Sequence, residues 1–544
     1  MPLIAPQASR TKWSDNCKGA KSKMARKSYY EYIKVDGAEL FTVVCLPDEV
    51  GTFPTVLFRK PYHDVEAKMT EDEVVALYHE KKEKWLARGY AFVHQHCRGR
   101  GKSTGDFVPY IHEREDGLAL QEWVRKQSFY NGELFLLGGS YSSTVHLCTA
   151  PFAPDIKGAV LEVQDSERYN IMYRNGFFKI GLHGKWYASN YKKNTMPEKP
   201  YAHEAFHMLP LSEFSRAVFG EEIPSFDEPL KHPDKNDPFW QTRFGGGEAR
   251  GATDRAGIPI LFTTGHYDLY TGGIHEMWRS MDEDTRKKCA LLIQPYGHGG
   301  AESPQASPVL FENGTLNEAF PDYQRNWLDY VRGKCPPPCE VGKVTYYKSF
   351  GEGWCTDDFK QPEKRKTFTL GEGERTYRYN PYAPATFKGG LSGKFGGSAY
   401  QDKPNSRYDI LSFYTPEFEE DTFIKGKMSA KLTVRSTAED TCFYVRVSLA
   451  KEEGDLGMRD DINQISNFDR EYVPGEELEM TFSFDEHAFV VKKGERLRVD
   501  ISSSAHPYYV RHTNNRGLFS EQTTAKVADN TVILYKSTLT VYTE

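Results

Sequence analysis

The chain changes its pattern of apolar and polar positions once, at a proline-rich segment. Before this segment, apolar runs of strand length without strict alternation are separated by stretches with helical spacing. That pattern is typical of a parallel sheet covered by helices on both faces. After it, short alternating segments are separated by glycine turns, which predicts an all-β jelly-roll sandwich. The segment itself, Gly333-Lys-Cys-Pro-Pro-Pro-Cys339, is typical of a rigid linker.

The α/β part is predicted to begin with a β-hairpin that turns at Asp36-Gly37. Further strands are predicted at 54–60, 90–95, 134–139, 156–163, 258–264 and 289–294. In the second part, strands are predicted at 430–434, 441–449, 478–484, 497–502 and 531–535.

An aromatic-rich segment with helical spacing, residues 165–250, interrupts the α/β pattern and predicts a helical lid. The predicted organisation is a basic N-terminal arm at 1–28, an α/β domain formed by 29–164 and 251–334, the lid, and a C-terminal β jelly roll at 340–544. An insertion at the carboxyl ends of sheet strands would cover the crevice where such sheets bind ligands. Aromatic candidates for binding a hydrophobic or aromatic substrate are Tyr173, Phe177, Phe178, Trp186 and Tyr270.

Charge and cysteine usage narrow the class of protein. The chain has 544 residues and a formal net charge of -6, with both signs interleaved, which gives no reason to expect nucleic acid or an anionic membrane as a partner. Nine cysteines form no regular framework, and no apolar run is long enough to span a bilayer. We therefore expect a soluble cytoplasmic protein. The sequence leaves open whether the protein forms a homo-oligomer.

The strongest chemical signal is Gly138-Gly139-Ser140-Tyr141, between an apolar run and a predicted helix. Such a strand-to-helix turn holds a serine in a strained conformation and lifts its hydroxyl out at the end of a sheet. The second glycine of the usual G-x-S-x-G pattern is absent, because Ser142 and Ser143 stand where it would be. Taken alone, such a turn is more often a surface loop.

A nucleophilic serine needs a histidine to take its proton and a carboxylate to orient that histidine. In an α/β-hydrolase sheet these partners follow in the order serine, acid, histidine, each just past a strand. Asp268 follows the strand at 258–264, and His298 follows the strand at 289–294. A helix cap and a loop histidine explain each residue separately, but three polar residues in this order predict a triad of Ser140, Asp268 and His298.

The predicted reaction also needs donors for an oxyanion. The backbone N–H of Tyr141 follows the nucleophile directly, and Tyr62 lies in the loop after an early strand. Both are candidates for the oxyanion hole, and no cofactor or metal is expected.

These residues together resemble a known family. Pro61-Tyr62, the glycine-rich loop 98–105, the Ser140 turn, Tyr267-Asp268 and Gly297-His298 are similar to the CocE/NonD acyl hydrolases, the cocaine esterase and X-Pro dipeptidyl-peptidase-like group. Ser436-Thr-Ala-Glu-Asp440, Lys493-Gly494-Glu-Arg-Leu-Arg498 and Ser502-Ser-Ser-Ala-His-Pro507 resemble that family's galactose-binding-like jelly roll. The resemblance implies an α/β hydrolase with the triad above and a tyrosine hydroxyl, here Tyr62, in the oxyanion hole.

The sequence departs from the family pattern at two positions. Ser143 stands where the family usually has glycine, three places after the nucleophile. Leu269-Tyr270 follows Asp268, whereas relatives that act on α-amino esters carry acidic residues there. The second departure argues against that specificity.

The sequence therefore predicts a serine hydrolase that cleaves an ester, or an amide, through an acyl-enzyme, with a small ester or short peptide as substrate. An X-Pro dipeptidyl peptidase is the alternative, in which Glu162, Asp165 and Glu167 would hold a free amino terminus. Less favoured alternatives are a carbohydrate-binding protein and a zinc metallopeptidase built on His203-Glu-Ala-Phe-His207, although nearby prolines keep any helix there short. His94 and His96 could form a metal pair, but core packing explains them better.

Overall fold

The computed structural model describes residues 27–62, 65–191, 203–298, 308–390 and 397–544. Almost all of the predicted basic arm at 1–28 lies outside this range. The elements up to the insertion are β1 (Lys27–Val35), β2 (Ala38–Leu46), β3 (Phe53–Lys60), α1 (Glu71–Leu86), β4 (Ala91–His96), α2 (Glu113–Arg125), β5 (Tyr130–Gly139), α3 (Tyr141–Leu147) and β6 (Ile156–Glu162).

The insertion is helical in part. It contains α4 (Arg168–Met172), the short pair β7 (Tyr173–Arg174) and β8 (Phe177–Phe178), α5 (Ile180–Asn190), α6 (Phe214–Phe219) and α7 (Pro224–Asp227), joined by 3-10 turns. Its aromatic residues pack into a core of their own, formed by Tyr169, Tyr173, Phe178, Tyr187, Phe214, Phe226 and Trp240 among others. The aromatic richness that predicted a substrate lid thus supplies mainly the packing of the lid itself.

The chain then returns to the sheet through α8 (Ala252–Ala256), β9 (Ile260–Tyr267), α9 (Thr271–Ser280), α10 (Glu283–Arg286), β10 (Ala290–Gly297), α11 (Leu316–Ala319), α12 (Tyr323–Val331), β11 (Val344–Lys348) and β12 (Gly353–Asp357). Within the described residues the sheet has ten strands in the order β1-β2-β4-β3-β5-β6-β9-β10-β11-β12. The run from β4 to β11 is parallel, so the carboxyl ends of β5, β9 and β10 lie at one edge.

Both faces of this sheet are buried. In β5, Leu134 and Leu136 join one apolar layer, while Phe135 and Leu137 join the layer on the opposite face. Successive strand residues point to opposite faces, so a strand covered on both sides needs a continuous apolar run. This is why the strands of this part lack alternation, and the predicted α/β-hydrolase fold is confirmed.

The C-terminal part is a β sandwich, as predicted. Its strands are β13 (Arg365–Thr369), β14 (Glu374–Tyr379), β15 (Leu411–Tyr414), β16 (Thr422–Gly426), β17 (Ser429–Ser436), β18 (Cys442–Lys451), β19 (Gly454–Gln464), β20 (Leu478–Ser483), β21 (His487–Val491), β22 (Arg496–Ser502) and β23 (Ala528–Tyr542). One sheet has the order β13-β23-β17-β20, with β14 also on β23, and the other has the order β15-β22-β18-β19. Residues such as Leu432, Val445, Val499 and Val532 fill the space between them.

The central sheet continues past the predicted boundary at residue 340. Strand β11 pairs in parallel with β10, through Leu291 opposite Val344, and β12 pairs with β11. Residues 344–357 therefore complete the central sheet before the chain enters the sandwich. The sequence hides this because an antiparallel edge hairpin has the same alternating pattern as a sandwich strand pair.

The insertion docks on the sandwich through ion pairs that are partly shielded from water. Arg174 of β7 contacts Asp461 with its Nε at 2.7 Å and Asp485 with its Nη1 at 2.8 Å. A cation removed from water needs such partners, because an unpaired buried charge is costly. These ion pairs hold the lid and the sandwich together over the edge of the sheet where β5, β9 and β10 end.

None of the helices in the described part of the chain combines the length and apolar character needed to cross a bilayer.

Candidate active site

Ser140 occupies a strained turn between β5 and α3. Its backbone has φ 56 and ψ -130, a combination that costs a non-glycine residue about 1–3 kcal/mol. The turn is tight: a Cβ added at Gly138 would lie 2.2 Å from the carbonyl oxygen of Ser142. The Ser140 N–H donates to the Glu162 carbonyl oxygen at 2.9 Å, which ties the turn to the end of β6. The hydroxyl therefore projects from the carboxyl edge of the sheet, as a nucleophile elbow requires.

Ser143 has a definite task in place of the glycine that the pattern lacks. Its hydroxyl donates to the Gly138 carbonyl oxygen at 2.6 Å, lies 3.1 Å from the Glu162 carbonyl oxygen, and accepts from the Glu162 N–H at 3.0 Å. The buried hydroxyl thus bridges β5, β6 and the first turn of α3. The departure from the pattern replaces a close backbone approach with hydrogen bonds.

His298 and Asp268 stand beside Ser140. The Nε2 atom of His298 lies 3.2 Å from Ser140 Oγ, and its Nδ1 atom lies 3.1 Å from Asp268 Oδ2. Asp268 comes just after β9 and His298 just after β10, so adjacent parallel strands bring them together. The structure places the three residues predicted as a triad within hydrogen-bonding reach of one another.

The carboxylate is much less accessible than the imidazole. The Asp268 side chain is 0% exposed and the His298 side chain is 21% exposed. Asp268 Oδ1 accepts from the Tyr270 N–H at 2.7 Å, so one oxygen is fixed by the backbone and the other faces the histidine. This arrangement fixes the orientation of the ring and leaves its far nitrogen at the serine.

The two candidate oxyanion donors meet next to the serine. The Tyr141 N–H points at the Tyr62 hydroxyl, with 3.1 Å between nitrogen and oxygen. Tyr62 lies just after β3 and Tyr141 is the first residue of α3, so both are close to Ser140 through the ends of neighbouring elements. An oxyanion formed at Ser140 would have these two groups on one side.

A buried network behind the elbow was not identified from the sequence. The Tyr141 hydroxyl donates to Glu113 at 2.8 Å and accepts from the Tyr110 N–H at 2.6 Å. Glu113 in turn contacts the Arg59 guanidinium at 3.3 Å, and both are buried. Burial raises the pKa of the Glu113 carboxyl, against the opposing effect of Arg59. This network holds the Tyr141 ring, and only spatial proximity could have revealed it.

Tyr270 lies against the histidine. Its ring meets the His298 ring edge-on, with centroids 5.2 Å apart at 74°. Burial raises the pKa of Tyr270 well above its ordinary value. The neutral phenol packs against the imidazole of His298.

A cavity of about 1120 Å³ opens above Ser140, with walls from all three parts of the chain. Of the predicted substrate-binding residues, Trp186 and Tyr270 line it. Tyr173, Phe177 and Phe178 do not, which corrects that prediction. Tyr173 and Phe178 are buried in the core of the insertion, and Phe177 packs against the sandwich beside Tyr444 and Tyr509.

The carboxylates considered for holding an amino terminus lie away from the cavity wall. Glu162 accepts from the hydroxyl of Tyr323 and from Gln324, behind the elbow. Asp165 accepts from the Glu167 N–H at 2.8 Å, and Glu167 pairs with Arg250 at 2.8 Å. Each of the three is engaged within its own loop or with a neighbouring element.

The histidine motifs have other arrangements than the one that zinc motifs use. His203–His207 is a 3-10 helix, in which residues four apart differ by about 120° around the axis, unlike the α-helical spacing that zinc motifs use. His94 stacks on Tyr78 with ring centroids 3.8 Å apart, and His96 Nε2 lies 2.8 Å from the Tyr78 hydroxyl. In the described ranges no group of three or more His, Cys, Asp or Glu side chains could hold a metal ion.

Comparisons with known proteins agree with this architecture. A model of X-Pro dipeptidyl-peptidase (S15 family) matches residues 36–300, and a model of the X-Pro dipeptidyl-peptidase C-terminal non-catalytic domain matches residues 341–538. A cocaine esterase from Rhodococcus sp. (strain MB1 Bresler) is 24% identical over 556 aligned residues, which cover 90% of this chain and 92% of the esterase.

Two solved structures have the same fold. An aminopeptidase from the marine sediment archaeon Thaumarchaeota archaeon superposes with a TM-score of 0.79 at 19% identity, over 98% of this chain and 100% of its own. An α-amino acid ester hydrolase superposes with a TM-score of 0.78 at 18% identity, over 99% of this chain and 100% of its own.

The fold and these comparisons define a hydrolase with an α/β-hydrolase sheet and a C-terminal β sandwich. Since the two family models together match most of the chain, it belongs to the CocE/NonD family of X-Pro dipeptidyl-peptidase-like hydrolases. The predicted family is confirmed.

Proposed function

We propose that the chain is a carboxylic ester hydrolase that works through an acyl-enzyme on Ser140. The observation that carries the proposal is the hydrogen-bonded row from Ser140 Oγ through His298 to Asp268, with 3.2 Å and 3.1 Å between the contacting atoms. His298 takes the proton of the serine hydroxyl as Ser140 attacks the carbonyl carbon, and later gives it to the leaving alcohol. Asp268 holds the ring in the tautomer that leaves Nε2 free to accept.

The tetrahedral intermediate would be stabilised by the Tyr141 N–H and the Tyr62 hydroxyl. In the free protein the N–H donates to the Tyr62 oxygen, and a substrate oxyanion is a stronger acceptor than a phenol oxygen. When the oxyanion forms between them, both groups donate to it. Water then repeats the attack on the acyl-enzyme with His298 as the base.

An ester substrate is favoured over a peptide with a free amino terminus. A dipeptidyl peptidase must neutralise an ammonium group near the scissile bond, and carboxylates are the side chains that do so. No described Asp or Glu lines the cavity. The lining by Trp186, Leu182, Ile171 and Tyr270 suits an aromatic or aliphatic acyl or alcohol group.

The test is covalent labelling followed by intact-mass measurement. A fluorophosphonate should add one phosphonyl group to the wild-type protein and none to Ser140→Ala. Absence of an adduct on folded wild-type protein would remove the proposal. Rates on para-nitrophenyl esters and on an X-Pro para-nitroanilide then separate the esterase from the dipeptidyl peptidase, since we expect turnover of the esters only.

A further inference from the structure

The charged side chains on the cavity wall are all basic in the part of the chain that the structure describes. Arg168, Lys185, Lys388 and Arg446 line the cavity, and no described Asp or Glu does. The chain as a whole has 76 acidic and 70 basic residues, so its composition would favour acidic groups slightly. The wall therefore has the opposite charge from the molecule.

The charges of two of these cations are compensated by neighbouring carboxylates. Lys388 Nζ lies 2.6 Å from Asp402, and Arg446 Nη2 lies 2.8 Å from Asp460. Each forms an ion pair with a carboxylate outside the lining. Their positive charge is thus largely compensated before any substrate enters.

Arg168, the first residue of α4, differs from both. It is 5% exposed, and it donates to the backbone carbonyl oxygens of Phe244 and Ser225. Its Nε is buried without a hydrogen-bond partner, and no described carboxylate forms an ion pair with it. Carbonyl oxygens carry only partial charge, so a nearly full positive charge remains on the cavity wall.

This charge is close to the nucleophile. The Arg168 guanidinium lies 4.6 Å from the centroid of the Tyr110 ring, and Tyr110 stacks on Tyr141 with centroids 4.5 Å apart. Tyr141 follows Ser140 directly. Arg168 and Ser140 also line the same cavity, so a substrate bound at the serine can extend toward the cation.

We propose that the natural substrate is an ester with a negatively charged carboxylate on its acyl or alcohol portion, and that Arg168 supplies the counter-charge. The proposal rests on the esterase function above and names its substrate class. A substrate carboxylate loses water on entering the cavity, and the fixed guanidinium offsets that loss. An ammonium group would lose its water and also be repelled, so the same wall discriminates against free amines.

The test compares substrates that differ only in charge. One set consists of para-nitrophenyl benzoates with a para carboxylate, a para methyl ester or a para aminomethyl group. The other consists of phenyl acetates with the same three groups on the leaving phenol. Each kcat/KM is divided by the rate of hydroxide-catalysed hydrolysis, which removes the intrinsic reactivity of the ester. In at least one set we expect the carboxylate to exceed the ammonium by about tenfold or more, the equivalent of one modest charge interaction.

Variants then assign the preference to its residue. Arg168→Gln should lower the carboxylate-to-ammonium ratio by about tenfold, and Arg168→Lys should keep most of it. Arg216→Gln is the matched control, because Arg216 is an exposed arginine of the insertion that pairs with Glu222, and the ratio should not change. For the wild-type enzyme, raising ionic strength from about 0.01 M to about 1 M should lower the ratio, which needs no variant.

The inference fails if neither set shows a preference for the carboxylate, if the ammonium ester is preferred, or if Arg168→Gln leaves the ratio unchanged. This failure is distinct from failure of the proposed function. Hydrolysis of the neutral esters that disappears in Ser140→Ala keeps the esterase assignment, whatever the charge preference. Loss of all ester hydrolysis in folded wild-type protein removes both.

Discussion

Asp268→Asn is the substitution for which the structure makes the sharpest prediction. Asp268 Oδ1 accepts from the Tyr270 N–H at 2.7 Å, so an asparagine at this position keeps its carbonyl oxygen there. Its NH₂ group then occupies the place of Oδ2, 3.1 Å from His298 Nδ1. Because the amide donates, Nδ1 must accept, and the proton moves to Nε2, where it faces Ser140. The ring can then no longer take the serine proton.

The expected size of the effect follows from the lost charge. A carboxylate 3.1 Å from a protonated imidazole interacts by about 5 kcal/mol at an effective dielectric constant of about 20. That energy corresponds to about a ten-thousandfold lower kcat. We expect KM to change little, because Asp268 is buried and does not line the cavity.

The assay is steady-state hydrolysis of a neutral para-nitrophenyl ester, together with the rate of fluorophosphonate labelling, which should fall in parallel with kcat. Asp165→Asn is the matched control, since Asp165 is a buried aspartate that bonds Glu167 and Asn170 and not the histidine. Its kcat should stay near that of the wild type. If Asp268→Asn retained more than about a tenth of kcat, the assignment of Asp268 as the orienting acid would be wrong.

Three further substitutions test the oxyanion hole, the turn that carries Ser140, and a buried carboxyl outside the site. Tyr62→Phe keeps the ring and removes one oxyanion donor, so kcat should fall by about a hundredfold to a thousandfold with little change in KM. Ser143→Ala leaves the Glu162 N–H and the Gly138 carbonyl oxygen without that partner, and urea unfolding should show a loss of about 1–3 kcal/mol in stability. Burial raises the pKa of Asp165 to about 7 from an ordinary value of 3.8. The wild type therefore loses stability as pH rises from about 4 to about 7, and Asp165→Asn should be more stable above that window by up to about 4 kcal/mol. Equal unfolding midpoints for wild type and Asp165→Asn at pH 8 would contradict that interpretation.

Much of the fold could be predicted because the burial of a strand on one face or on both faces determines its pattern of apolar residues. The run Leu134-Phe-Leu-Leu serves two apolar layers at once, and the alternation in segments such as 430–434 serves one. The hairpin of β11 and β12 could not be assigned to the central sheet in this way. Its membership depends on the pairing of Leu291 with Val344, more than fifty residues apart, and no local pattern records a long-range register.

The residues of the site could be predicted where their chemical type and their order along the chain both match a known catalytic arrangement. Ser140, Asp268 and His298 each follow a strand, and this order has a topological reason that a sequence displays. Glu113 and Arg59 support the Tyr141 ring from different elements, so nothing in their local sequence sets them apart. The prediction that the aromatic residues of the insertion bind substrate failed for another reason. Aromatic residues at helical spacing give the same sequence pattern whether they face a substrate or the core of their own segment. Tyr173 and Phe178 face that core.

The division of the site among three parts of the chain has a consequence for specificity. Ser140, Asp268 and His298 are held by adjacent strands of one sheet, so their relative positions depend on a rigid framework. The cavity wall also includes residues of the insertion and of the sandwich, which Arg174 holds together through Asp461 and Asp485. Removing Arg174 would leave the buried Asp461 and the partly buried Asp485 without this ion pair, a cost that would loosen the wall while the sheet remains intact. Different contacts therefore determine the substrate preference and the catalytic geometry. A change in the charge of the insertion or the sandwich can alter the preference while Ser140, His298 and Asp268 keep their positions.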